Sequence, residues 1–342
     1  MNCATTMVGV IHGILRRRRW SGESLCQQLA RPMPALLLLA AGTLLNAQDV
    51  GKAYSPDTPI KVDVRLVNLN VTVTDRRGQP YTALKADNFR VYDNGIEQAI
   101  HHFNSDDVPF TMGLVLDRSG SMFMMMKEVY RAAFHTISSS KAEDEFFIAA
   151  FSDGSKIQQD FSTDRLVLEQ QPKGIEAGGT TALYDAILDG VDHIQREHHD
   201  KKALLVVTDG ADNASTHRFQ EVLDRARQES VALYIVGMFD KEDLAAEGTN
   251  ENHLKKSLIQ LAEATGGKAY FPRNIKECEQ ACITIAHELR QQYALGYYPN
   301  LQLRDGSWHN LEVRLNLDKD MRDLELMART RAGYYAPRGS EQ

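Results

Sequence analysis

Between residues 110 and 239 the chain alternates two kinds of apolar pattern. "FTMGLVLD" (110–117), "EFFIAAFS" (145–152), "KALLVVTDG" (202–210) and "VALYIVGMF" (231–239) are nearly unbroken apolar runs. Strands covered on both faces read this way. Between and after them come stretches with helical spacing: 124–140, 181–199 with Leu183, Ile187, Val191 and Ile194, 218–230, 251–267 ending in Gly-Gly, and 275–293. "SKIQQDFS" (155–162) and "KAYFP" (268–272) supply two further strands. Strands alternating with helices predict an α/β unit, a doubly wound and mostly parallel sheet with helices on both faces.

The flanks change period. "IKVDVRLVNLNVTVTD" (60–75) alternates apolar and polar positions, with a parity change at Leu66–Val67 that predicts a bulge or bend. "NFRVYDNGIEQAIHHFN" (88–104) places Asn-Gly between two apolar runs, a strong hairpin signal. After the last long helix, "YALGYYP" (293–299), "HNLEVRLNL" (309–317) and "DLELMARTRAGYYAP" (323–337) again read as strands. Each β flank is too short to bury a core alone. The expectation is that 60–107 and 293–337 pack into one β-sandwich-like domain, with an α/β domain over 108–292 inserted between them.

The first 59 residues are unlike the rest. A basic cluster, Arg16 to Arg19, precedes "PALLLLAAGTLLNA" (34–47), an apolar run of signal-peptide length. Residues 1–47 read as a leader cleaved near Ala47, with Met7 and Met33 as internal start candidates, and 48–59, with two Pro, as a linker. Once the leader is cut, no transmembrane segment is expected, and the address is the periplasm, cell envelope or medium. With 43% apolar and 25% charged residues the remainder reads as globular, and the net charge of −7 argues against nucleic acid as partner. Of four Cys, Cys3 and Cys26 fall in the leader. Cys278 and Cys282 share one face of the last long helix and read as small core residues, since two thiols without a nearby His make a poor zinc site. The pairs His101–His102 and His198–His199 lack metal-ligand spacing with a third ligand.

The candidate chemistry is concentrated in three short segments. In "DRSGS" (117–121), one carboxylate and two hydroxyls stand at alternate positions, Asp117, Ser119 and Ser121, as a strand ends. "EAGGTTALYDA" (176–186) sets Thr180 and Thr181 just before a helix, and "VVTDG" places Asp209 at the carboxyl end of another buried strand. Open α/β sheets bind ligands at the carboxyl ends of strands where strand order reverses. These hard oxygens suit Mg²⁺ or a similar cation better than zinc.

D-x-S-x-S, then G-G-T, then T-D-G resembles the metal-ion-dependent adhesion site of von Willebrand factor type A (VWA) domains. The resemblance covers roughly 108–292. The β flanks look like those of exported bacterial proteins with a "VWFA-related" domain. It implies a Rossmann-like six-stranded sheet ordered 3-2-1-4-5-6 and a bound Mg²⁺, Mn²⁺ or Ca²⁺. By position, Ser119, Ser121 and Thr180 resemble the hydroxyl ligands, with Thr181 the alternative to Thr180. Asp117 and Asp209 resemble the carboxylates that hold bound waters. A cation held mostly by neutral groups keeps its charge and favours an outside carboxylate. The implied function is therefore non-enzymatic: an adhesion or scaffold module for a protein partner presenting Asp or Glu, with Arg118 and Met122 on the rim. The alternative is a metal-assisted hydrolase on a similar sheet, with Asp117 as nucleophile or metal ligand. No G-x-S-x-G elbow supports it, and Ser119 stands where a phosphoryl-transfer site would want a second acid.

Overall fold

The structure, a computed structural model, describes residues 66–171, 176–239, 244, 249–299 and 305–338. The leader, the linker and residues 60–65 of the first expected strand run lie outside the described residues.

Four short strands come first: β1 (Val67–Thr74), β2 (Phe89–Asp93), β3 (Ile96–Gln98) and β4 (His102–Asn104). The α/β unit follows with β5 (Phe110–Asp117), α1 (Met126–Ser138), β6 (Glu145–Phe151), β7 (Ser155–Ser162) and α2 (Arg165–Gln170). It continues with α3 (Leu183–Ile194), β8 (Lys201–Thr208), α4 (Phe219–Gln228), β9 (Ala232–Gly237), α5 (Glu251–Ala264), β10 (Ala269–Tyr270) and α6 (Ile275–Arg290). The tail holds β11 (Tyr293–Tyr297), β12 (Trp308–Leu315), a single turn α7 (Lys319–Arg322), β13 (Met327–Arg329) and β14 (Gly333–Tyr335).

The central sheet has six strands in the order β10-β9-β8-β5-β6-β7. Counted along the unit, this is the expected 3-2-1-4-5-6. Every pair is parallel except β6 with β7. All eight residues of β5 are buried, which is why its sequence reads as a continuous apolar run. One face of the sheet packs on α1 and α6, through Val129, Ala133, Cys282 and Ile285 among others. The opposite face packs on α3, α4 and α5, through Ile187, Val191, Val222 and Leu258. Cys278 and Cys282 are free and buried in the first of these layers.

The flanking strands form two antiparallel sheets, ordered β13-β1-β11-β4 and β14-β12-β2-β3. Each contains strands from both sides of the α/β unit: β1 pairs with β11 and β13, and β12 with β2 and β14. Side chains of both flanks, including Leu69, Val71, Phe89, Val91, Tyr293 and Leu295, meet in one apolar cluster. The Asn94-Gly95 turn between β2 and β3 has φ of 50° and 79°, the double positive φ that a type I′ hairpin needs. The tail segment 323–337 differs from a single strand. It divides into β13 and β14, one in each sheet, with a corner at Thr330–Ala332 where Ala332 N–H donates to Ala264 O of α5.

A polar knot joins the two flanks. The Asp93 carboxylate, 5% exposed, accepts from His309 Nδ1 at 2.7 Å, Tyr297 OH at 2.7 Å and Tyr334 OH at 3.0 Å. These partners stand on β12, β11 and β14. His309 Nε2 is buried with no partner among the described residues. Facing an acceptor-only carboxylate, Nδ1 is the nitrogen that donates.

Candidate functional site

The site lies where β5 and β8, neighbours in space but far apart in sequence, end side by side. Asp117 is the last residue of β5 and is fully buried. Ser119 N–H donates to its Oδ1 at 2.8 Å, and Thr208 Oγ1, from the end of β8, donates to its Oδ2 at 2.6 Å. The backbone N–H of Asp209 adds a further bond. Burial pushes the Asp117 pKa above the ordinary carboxylate value, and the donors from Thr208, Ser119 and Asp209 pull it part of the way back.

From there hydroxyls lead outward. Ser119 Oγ lies 3.1 Å from Ser121 Oγ, and Ser121 Oγ donates to Asp209 Oδ1 at 2.9 Å. Ser119 and Asp209 are nearly buried, at 2% and 8%, whereas Ser121 is exposed. The loop backbone is fixed independently of these side chains. Arg118 N–H donates to Phe151 O, Gly178 N–H to Arg118 O, and Gly120 N–H to Gly179 O. The glycine-rich segment is thereby laced to the D-x-S-x-S turn. Gly179 has φ of +89°, and a Cβ there would meet the Asp153 carboxylate at 2.7 Å, so only glycine fits.

The two threonines point to different neighbours. Thr180 is exposed, and its N–H and Oγ1 both donate to Asp153 Oδ1, at 2.7 and 2.5 Å. Those bonds hold the Asp153 carboxyl below its usual range. Thr181 is buried, at 4%, and a Cβ added at Gly210 would lie 3.5 Å from its Oγ1, which puts that hydroxyl beside the T-D-G turn. Asn213 Oδ1 accepts from Thr181 N–H at 2.8 Å and anchors it.

The structure thus brings together Asp117, Ser119, Ser121 and Asp209 by direct bonds and lays the Thr180–Thr181 loop against them. Asp153 and Thr208 are additions. Asp153 follows the carboxyl end of β6, and the rule that found Asp117 and Asp209 would have singled it out in "FSDG". Thr208 holds Asp117 in place and carried no signal beyond preceding Asp209. Arg118 is half-buried at the edge, its guanidinium donating to Glu176 O at 3.3 Å. Met122 is not on the rim. It is fully buried in the core with Leu116 and Met126. The reason is local: residues 120–124 form a 3₁₀ turn before α1, and its tighter winding rotates Met122 inward and leaves Phe123 and Met124 outside.

Among the described residues no group of three or more His, Cys, Asp or Glu side chains gathers to hold a metal. The donor set here is of another kind, with two carboxylates and neutral hydroxyls converging at a sheet end. It fits a hard, oxygen-seeking divalent cation.

Comparison with known proteins agrees with this architecture. Residues 112–281 match the von Willebrand factor type A domain family. The chain is a VWA-domain protein. An uncharacterized protein of Borreliella burgdorferi is 23% identical over an alignment of 178 positions that covers 48% of this chain and 51% of that protein. The chain therefore spans about half the length of the curated relative it matches. Among solved structures, a von Willebrand factor type A protein from Catenulispora acidiphila aligns over 82% of this chain and 75% of its own, with 9% identity and a TM-score of 0.46. An aerotolerance-related membrane protein from Bacteroides fragilis aligns over 52% of this chain and 99% of its own, with 14% identity and a TM-score of 0.41. Proximal thread matrix protein 1 from the mussel byssus, described with a zinc-occupied MIDAS motif, aligns over 58% of this chain and 49% of its own, with 14% identity and a TM-score of 0.44.

Proposed function

We propose that this protein is a non-enzymatic, metal-dependent binding module that acts outside the cytoplasm and holds a protein partner through a partner carboxylate. The observation that carries the reading is the bonded series Ser119–Ser121–Asp209 beside Asp117 at the ends of adjacent parallel strands. Ser119, Ser121 and a threonine hydroxyl would hold the cation, and Asp117 and Asp209 would act through bound water. Burial beside Gly210 favours Thr181 for the threonine, and Thr180, engaged with Asp153, is the alternative. The cation would supply positive charge only partly offset by its ligands, and so a place for an anionic oxygen. Mg²⁺ is the first choice, with Mn²⁺ and Ca²⁺ compatible with the same donors.

Asp117 supports the non-enzymatic reading. Its carboxylate is fully buried and already takes three donors, so it is withdrawn from the surface where a nucleophile would meet a substrate. For the address, the support is the leader pattern in the sequence. No helix among the described residues is long and apolar enough to cross a membrane.

Calorimetric titration with Mg²⁺ and Mn²⁺ is the direct test. Binding should weaken in Ser121→Ala, and of Thr180→Val and Thr181→Val the second should lose more. Capture of a partner from the envelope of the producing organism should disappear with EDTA and return with Mg²⁺. Equal capture by the EDTA-treated protein would refute the role of the site.

A further inference from the structure

The turn that carries the site also carries, among the described residues, the two most exposed large apolar side chains of the α/β unit. Phe123 is 70% exposed and Met124 82% exposed, one and two positions after Met122 turns inward. An isolated exposed apolar residue is ordinary on any surface. Two adjacent ones, two and three residues from Ser121, are a different matter, because their positions are fixed. The turn is held by Met122 N–H on Ser119 O at 3.1 Å, Met125 N–H on Met122 O at 3.0 Å, and Gly120 N–H on Gly179 O at 3.1 Å. The pair is presented on a stiff backbone immediately beside the exposed hydroxyl of the site. Arg118, between Asp117 and Ser119, is tied to Glu176 O. The turn therefore carries apolar surface just after Ser121 and a positive charge just before Ser119.

We infer that Phe123 and Met124 select the partner, and that the segment bound at this site carries its Asp or Glu next to a large apolar side chain that packs on this pair. This rests on the metal-dependent reading proposed above and adds the chemistry of the second contact. The geometry leaves little choice of neighbour. A chain that puts a carboxylate over Ser119 and Ser121 arrives beside Phe123 and Met124, two and three residues from Ser121 on the same bonded turn. An apolar side chain buried on them gains the transfer free energy that water-exposed Phe and Met forgo. A thioether and an aromatic ring also adapt to several apolar shapes, so Leu, Met, Phe and Trp would all serve. The positive charge of Arg118, next to Ser119, tolerates a second acid and disfavours a base.

The test uses a random peptide library selected on the whole protein in Mg²⁺ and eluted with EDTA. Eluted sequences should be enriched in Asp or Glu beside Leu, Met, Phe or Trp. The same selection on Phe123→Ser/Met124→Ser should keep the acid and lose the apolar neighbour. A peptide chosen on the wild type should bind the double variant about tenfold or more weakly, the factor that corresponds to about 1.4 kcal/mol. Both side chains are exposed, so the variant should fold, and its unchanged Mg²⁺ affinity is the control. Acid enrichment without apolar neighbours would overturn this inference and leave the metal-dependent reading standing. Absence of any EDTA-eluted acidic peptide would remove both. If sedimentation shows the wild type self-associating and the double variant monomeric, the patch serves a second copy of the chain, and the inference fails.

Discussion

Asp117 and Asp93 are both carboxylates withdrawn from water, each accepting three donors, and they differ in where their hydrogen bonds lead. Around Asp93 the bonds close on themselves. His309, Tyr297 and Tyr334 all donate inward, each from a different strand, and nothing of the cluster reaches the surface. Around Asp117 the bonds run on through Ser119 to the exposed hydroxyl of Ser121, and from there to Asp209, whose backbone N–H returns to Asp117. A closed knot specifies how strands pack. An open series leaves lone pairs facing solvent and can accept a ligand. Burial of an acid therefore does not by itself mark a candidate site; what separates the two clusters is whether their hydrogen-bonded partners reach the surface.

The comparison breaks most sharply at Asp93. Asp93→Ala leaves two phenols and an imidazole N–H without an acceptor inside the β sheets. A buried donor left without its acceptor costs about 1–3 kcal/mol. Urea denaturation should show that loss, while Mg²⁺ affinity of the folded fraction stays unchanged. A destabilisation below about 1 kcal/mol would mean that water replaces the carboxylate and that the knot is not closed.

Asp209→Ala should give the reverse result. A carboxylate that orients a bound water is worth about 10–100-fold in metal affinity. Calorimetry should find a loss of that size, with a stability change under about 1 kcal/mol. The same change at Asp117 is a poorer test. Its position in the core means that three donors lose their acceptor along with any metal effect, so stability and affinity fall together.

Lys201 offers a third kind of buried charge. It starts β8, is 2% exposed, and its Nζ donates to the carbonyls of Leu289, Arg290 and Gln292 where α6 ends, at 3.3 to 3.4 Å. Burial lowers its pKa from 10.5 to about 8. Between those values the unfolded chain binds the proton more tightly than the folded one, so folding becomes more favourable as pH rises from about 8 to 10.5. The stability of the wild type relative to Lys201→Met should rise over that window and be flat below it. A difference that falls with rising pH would show that the ammonium is stabilised by its carbonyl cap, as a salt-bridged group would be.

What could be read from the sequence follows from the same distinction. Runs such as 110–117 and 202–210 announce doubly covered strands because every position is apolar. Asn94-Gly95 announces its hairpin because few other pairs tolerate two positive φ values. Asp117, Ser119, Ser121 and Asp209 were legible because each sits at a strand end within a short motif. The Asp93–His309 knot was not, since its members are 216 positions apart and no periodicity links them. Met122 was misplaced on the rim because a 3₁₀ turn shifts the phase that a helical reading assumes. The division of β13 from β14 depends on a corner against α5 that local pattern does not encode.

The smallest expected effect, and the one that sharpens the comparison furthest, is at Arg118. Its backbone is bonded to Phe151 and Gly178, so the loop does not depend on the side chain, which donates to Glu176 O. Arg118→Glu should therefore leave the fold unchanged and Mg²⁺ affinity within a few-fold, the added negative charge slightly favouring the cation. What should change is the approach of an acidic partner. A rim charge acts at a distance and chiefly sets the association rate. Stopped-flow association of an EDTA-eluted acidic peptide should be slower with the variant at low ionic strength. The difference from the wild type should shrink as salt brings the screening length to about 8 Å at 0.15 M. If the variant instead raises the dissociation rate and the effect persists in high salt, Arg118 bonds the bound carboxylate directly, and the outward series of hydroxyls shares its anion with a fixed guanidinium.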